Sequence, residues 1–154
     1  MKTIVLIALL TLSHIAIGQS KSTQKLHEKY DGAFTMFFYK STIKMLESDK
    51  TKEFMDIVKG IEKAKLIKVD KYETDFDEKD IIEYKDGIKD EDFEEVMSIR
   101  QKNGKFNIYI KEKNGVTKGI IVTLDSEEQF SILDIVGEIA LDKLSTLTDK
   151  IDFN

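Results

Sequence analysis

Apolar and polar positions divide this chain into unlike stretches. Residues 3–17 are almost continuously apolar, with Lys2 before them and the polar pair Gln19-Ser20 after. A cationic start, a short apolar run and small residues at −3 and −1 of a scissile bond form the layout of a secretory leader, and Ala16 and Gly18 take the small positions. The expectation is a leader over residues 1–18, cut between Gly18 and Gln19. A spanning helix needs about 20 apolar residues, and this run is shorter, with no positive cluster after it. A lipid anchor needs a Cys thiol at the first mature position, which here is Gln19, and the chain has no Cys. The product is therefore expected to be exported, periplasmic or extracellular, and soluble, without a stable membrane anchor.

Residues 19–32 are polar, with Leu26 and Tyr30 as isolated apolar points, and read as a leader segment that is either a short helix or loose. A single domain is expected over 33–154. Ala33 to Tyr39 is strand material after the Asp31-Gly32 turn. Its close, Met36-Phe37-Phe38-Tyr39, is apolar on both faces, which suggests a central strand or one whose second face meets a partner. Ser41-Thr42 offers a helix start. A second helix is predicted from about Thr51 to Glu62, with Phe54, Val58 and Ile61 on one stripe. Leu66 to Tyr72 alternates as a strand. Asp75 to Lys85 reads as a helix, with Ile81, Tyr84 and Ile88 as its buried stripe and Asp86-Gly87 as its end.

The second half carries the clearest pattern. Asn103-Gly104 and Asn114-Gly115 are strong hairpin signals, since both central residues of a type I′ turn need positive φ. They flank the alternation Phe106 to Lys111. Val116 to Leu124 and Gln129 to Val136 follow, and Phe93 to Gln101 opens the set, with a short helix as its rival. A four-stranded meander results. A last helix over about Ala140 to Lys150 carries Leu141, Leu144, Leu147 and, just beyond it, Ile151. The fold class is α+β: a two-layer sandwich with an antiparallel sheet and helices packed on one face.

Composition narrows the chemistry. The net charge is −5, and loss of residues 1–18 removes one base and no acid. An acidic chain lacks the concentrated positive face of a nucleic-acid binder, so no nucleic-acid partner is expected. Arg100 is the one arginine, so an Arg clamp on phosphate or carboxylate must use it. Without cysteine there is no disulfide, and stability rests on packing.

No catalytic constellation emerges. His27 is the one histidine of the mature part and sits in the polar leader segment, whereas a triad needs an oriented imidazole beside its nucleophile. A zinc site needs several His or Cys ligands. Calcium asks only for oxygen, and Asp75, Asp77, Asp80 and Asp86, Asp90, Asp92 form two acidic clusters. Neither has Gly at the sixth position of an EF-hand loop, and solvated surface explains them better. No Gly-rich phosphate loop occurs. No cofactor, metal ligand or catalytic residue is assigned. Asp134 interrupts an apolar strand between Leu133 and Ile135, and is expected to point to solvent from a one-sided strand.

The leader ending in Gln19-Ser20, the segment Lys25-Leu26-His27-Glu28-Lys29-Tyr30, the strand ending Tyr39-Lys40-Ser41, and the close Phe130 to Ile139 before a Leu-rich helix resemble the domain-of-unknown-function family numbered 4252. The resemblance covers nearly the whole mature chain and implies a small exported protein of a kind found largely in Bacteroidota. Many members look like lipoproteins, and this chain departs from them at Gln19. The family carries no reaction that could be transferred.

The reading that follows is a non-catalytic binding or interaction module of the bacterial envelope, its partner an unknown protein or envelope component. If Phe38 faces the helices, Phe37 and Tyr39 face away, and Tyr109 opposes Phe106, Ile108 and Ile110; Phe37, Tyr39 and Tyr109 are the candidate partner surface. The alternatives are a hydrolase working through carboxylates, marked by a pocket with two acids of shifted pKa, and an envelope regulatory protein.

Overall fold

The computed structural model describes residues 18–45 and 58–139. The leader, most of the helix expected from Thr51, and the helix expected from Ala140 lie outside the described residues.

Among the described residues nine elements follow one another: α1 Lys21–Lys29, β1 Phe34–Tyr39, α2 Lys40–Met45, β2 Ile61–Asp70, α3 Glu78–Asp90, β3 Glu94–Gln101, β4 Gly104–Lys113, β5 Val116–Asp125 and β6 Gln129–Ile139. The strands form one antiparallel sheet of six in the order β1-β2-β6-β5-β4-β3. The meander β3 to β6 is as expected, and β6 then lies beside β2. The α+β class and the antiparallel sheet hold.

Alternation sorts the sheet into two faces. On one, Ile67 and Val69 of β2, Tyr109, Ile121, Phe130 and Ile132 meet Leu26 and Tyr30 of the α1 region and Ile81, Tyr84 and Ile88 of α3. Phe130 anchors this layer: Phe76 stacks on it at 5.1 Å between ring centres and Tyr84 meets it edge-on at 6.0 Å. Such aromatic pairs add about 0.5–1.5 kcal/mol beyond the area they bury. The other face carries a separate apolar cluster of Ile61, Ile108, Ile110, Ile120, Val122, Ile135 and Ile139.

Several expectations are corrected. Of the two readings of 19–32, the short helix is the one seen: Ser20 caps α1, and Leu26 and Thr23 are buried in the domain. β1 is an edge strand rather than a central one. Its apolar run does not follow from cover on both sides. β2 begins at Ile61, so Ile61 and Glu62 are strand and not the end of a helix. Gly60 breaks the helical run, and β6 supplies a backbone partner from Gly137 onward. Asp86-Gly87 does not end α3, which continues to Asp90 because Ile88 is fully buried and holds the last turn on the core.

The two Asn-Gly hairpins also differ. At Asn114 and Gly115 φ is +54° and +75°, the positive pair a type I′ turn requires. At the first hairpin Gln101 pairs with Gly104, so Lys102-Asn103 forms the loop and Gly104, at φ +156°, already belongs to β4. There the glycine serves close approach: a Cβ would stand 2.5 Å from the Asp125 carbonyl oxygen.

Candidate functional site

One row of side chains crosses the helix-bearing face from β3 to β1: Glu95, Tyr109, Ile121, Asp134, Lys65 and Phe37, each opposite the next. Its centre is charged. Asp134 is 1% exposed and Lys65 4%. The expectation that Asp134 points to solvent is therefore overturned. α1 packs over this face, and the carboxylate meets the helix's first residues.

Ser20, the N-cap of α1, organises the contact. Its side chain accepts from the Thr23 N–H at 3.1 Å, as N-cap residues do. Its own N–H donates to Asp134 Oδ2 at 3.0 Å. Its hydroxyl donates to Glu91 Oε1 at 3.1 Å. Glu91, just past the end of α3, also accepts from the Lys21 N–H at 2.8 Å, the Ser22 N–H at 2.8 Å and the Ser22 hydroxyl at 2.6 Å. Two carboxylates thus hold the N-terminus of α1, where unpaired N–H groups and the helix dipole favour negative charge. Thr23 is fully buried, and its hydroxyl shares a 3.0 Å bond with the Tyr84 hydroxyl.

The two acids are driven in opposite directions. Burial pushes Asp134 above the usual carboxylate range, against the Thr23 hydroxyl and the Ser20 amide. Burial acts on Glu91 too, yet the donors from Ser22, Lys21 and Ser20 outweigh it and hold Glu91 below its ordinary value. Burial lowers Lys65, and the charge of Asp134 opposes that shift. The Lys65 Nζ stands 5.1 Å from the centre of the Phe37 ring. Among the described residues Asp134 Oδ1 has no hydrogen-bond partner. A cavity of about 930 Å³ opens beside these groups, lined by Gly18, Gln19, Ser20, Glu91, Phe93, Lys111, Lys118 and Asp134 among others.

Two acids of the first cluster, Asp77 and Asp80, have structural employment. Asp77 accepts from the Lys79 and Asp80 N–H groups at the start of α3, and the Asp80 side chain returns to the Asp77 N–H, a capping box. Asp80 also accepts from Lys29 and from the Tyr30 hydroxyl at 2.8 Å. Burial, and then that bond, push the Tyr30 hydroxyl up to about 12. Among the described residues no three His, Cys, Asp or Glu side chains are grouped to hold a metal. His27 is half-buried and lies edge-on to Phe37 at 6.2 Å.

The candidate partner residues separate. Phe37 is 45% and Tyr39 60% exposed, their rings nearly parallel at 6.5 Å. They share the face of Lys65 and α1, so it is Phe38 that points to the other side. Tyr109 is 1% exposed in the core and leaves the partner surface. It occupies a row covered by helices, which its alternation alone does not reveal. Gly18 is exposed and Gln19 half-buried at the mouth of the cavity. Glu91, Lys65 and Ser20 were missed. Their only local signal is an N-cap type three residues past the apolar run and a Lys inside the apolar stretch of β2.

The described chain is a small α+β domain whose N-terminal helix is clamped by carboxylates onto a six-stranded antiparallel sheet. A family model, the domain of unknown function DUF4252, matches residues 28–147, and the chain belongs to that family. Neither the curated proteins nor the solved structures compared with it give a match. No helix among the described residues is long and apolar enough to cross a membrane.

Proposed function

We propose that the chain is an exported, non-catalytic interaction domain of the bacterial envelope, with β1 as its contact strand. The observation that carries this is the outer edge of β1. Among the described residues no strand covers it, and its six side chains carry no charge. Phe34, Met36, Phe37 and Tyr39 are all exposed. Natural edge strands are usually blunted by Lys, Pro or inward charges, and β1 has none of these. A bare apolar edge suits strand addition, in which backbone bonds give affinity and exposed side chains give choice of partner. Lys68 is exposed and its Nζ lies 5.9 Å from the Phe34 ring centre, so an extended segment with an acidic residue opposite Lys68 fits best.

Export rests on the layout of residues 1–18. N-terminal analysis of protein from its source should begin at Gln19, and intact Met1 would end that part of the reading. For the surface, envelope extracts are passed over the wild type and a Phe37→Ser/Tyr39→Ser variant of unchanged melting temperature. A partner held by the first and lost by the second is expected. Identical capture by both defeats the assignment of β1.

A second reading has one observation in its favour. Glu91 and Asp134 line one cavity with pKa values driven apart, the arrangement of an acid–base pair. Both acids, however, face the N-terminus of α1, and Glu91 already accepts four hydrogen bonds there. Hydrolysis of an ester or glycoside library that Glu91→Gln abolishes would establish the hydrolase in place of the interaction module.

A further inference from the structure

We infer that the cavity at Asp134 is the seat of the chain's own α-ammonium group, created when the leader is cut between Gly18 and Gln19. The inference rests on the export reading above and adds a destination for the new terminus.

Three observations meet here. Asp134 is 1% exposed, its Oδ2 accepts from the Ser20 N–H at 3.0 Å, and among the described residues its Oδ1 has no hydrogen-bond partner. A buried carboxylate with an idle oxygen is costly unless a donor or a cation reaches it. Gln19 and Ser20 line the same 930 Å³ cavity as Asp134 and Glu91. The Ser20 N–H already bonds Asp134 Oδ2 at 3.0 Å, and one residue of chain spans at most about 3.6 Å, so the Gln19 nitrogen starts no more than about 7 Å from the carboxylate and, once freed from Gly18, can swing onto it.

Two of the lysines lining the cavity are engaged elsewhere. Lys118 pairs with Glu138, and the Lys111 Nζ lies 5.7 Å from the Phe93 ring centre. Lys65 lies over the Phe37 ring. Glu91, also at this end of α1, adds a second negative charge. Around the whole cavity five acids, Glu91, Asp92, Glu94, Glu112 and Asp134, face four lysines, Lys21, Lys111, Lys113 and Lys118, so the lining carries one carboxylate in excess.

The covalent step is ordinary. A leader peptidase adds water across the Gly18–Gln19 peptide bond, and Gly18 leaves as a carboxylate. Gln19 keeps the nitrogen as an amine, which takes up a proton at neutral pH. A neutral amide thereby becomes a cation at the buried acid. Cyclisation of Gln19 would expel ammonia and leave a neutral lactam, so docking and cyclisation exclude one another.

The test uses the full chain with its leader, expressed in an exporting host and purified after processing. The rate of acylation of the Gln19 amine is followed against pH by mass spectrometry, in native buffer and in denaturing urea. An exposed α-amine titrates at about 7.7–8.0. The native product should titrate about one unit higher than the same chain in urea, and Asp134→Asn should remove the difference. Equal values in buffer and urea, an unchanged shift in Asp134→Asn, or a pyroglutamate terminus overturn the docking and leave export standing. A purified product that keeps Met1 overturns both. The wild-type comparison decides the matter even if Asp134→Asn does not fold.

Discussion

Asp134 and Ser20 lie 114 positions apart and are joined by one bond, from the Ser20 backbone N–H to Asp134 Oδ2 at 3.0 Å. The bond closes the domain: it ties the first turn of α1 to β6 in the middle of the sheet. Asp134→Ala leaves that buried N–H without an acceptor, and an orphaned buried donor costs about 1–3 kcal/mol. Asp134→Asn keeps an oxygen in place and removes the charge, so it should cost less. Urea melts of the two variants check the order. An alanine variant as stable as the wild type would show that α1 is not held by this contact.

Glu91 gives the fold an acid limit. Its pKa in the folded protein is below the ordinary 4.5, since it accepts four hydrogen bonds from Ser20, Lys21 and Ser22. The unfolded chain binds this proton more readily than the folded one. Its contribution is therefore complete above pH 4.5 and is lost as pH falls through the folded value. Glu91→Gln should be less stable than the wild type at neutral pH, and the gap should close as the pH is lowered below 4.5. Chemical denaturation at a series of pH values reads this, and a gap of constant size would refute it.

The acidic cluster before α3 supplies a paired test. Asp77 accepts from two N–H groups at the helix start, whereas Asp75 is exposed and no hydrogen bond to its side chain is seen. Asp77→Ala should cost on the order of 1 kcal/mol, the usual loss of an N-cap. Asp75→Ala should stay within about 0.5 kcal/mol of the wild type. Equal losses at both positions, restored by added calcium, would mean the cluster holds a cation instead.

What was legible in the sequence was whatever depends on near neighbours. Ile81, Tyr84 and Ile88 fall on one stripe by helical spacing alone, and all three are buried. Phe106 to Lys111 alternates, and β4 follows it. The Asn114-Gly115 turn needs only its own two φ angles. What was not legible depends on distant partners. β1 reads as central because its composition is apolar, but its place in the sheet is set by β6 choosing β2. Asp134 was conspicuous, yet its direction depends on α1 lying over β6. Tyr109 looked free for a partner for the same reason: nothing local says which face of β4 the helices cover. Gly137 stands in the segment that carries the family resemblance, but its role could not be read there, because it is a contact with Gly60 and Ile61 far away in the chain.

The glycines rank by what a side chain would meet. At Gly137, φ is +154° and a Cβ would lie 2.1 Å from the Gly60 carbonyl oxygen and 2.9 Å from the Ile61 Cα. These are backbone atoms of the neighbouring strand at a register shift, and they move only if β2 and β6 part. At Gly104, φ is +156° and the Asp125 carbonyl oxygen is 2.5 Å away. At Gly115, φ is +75° and nothing lies within 4 Å, so only the conformational strain remains. That strain is worth about 1–2 kcal/mol for a residue with a Cβ. Gly115→Ala should therefore be the mildest of the three substitutions, Gly104→Ala worse by the added clash, and Gly137→Ala the most damaging, at roughly 3 kcal/mol or more. Thermal melts of the three single variants give the order. If Gly137→Ala melts with or above Gly115→Ala, the close approach of β6 to Gly60 and Ile61 is wrong, and with it the pairing that puts β6 between β2 and β5.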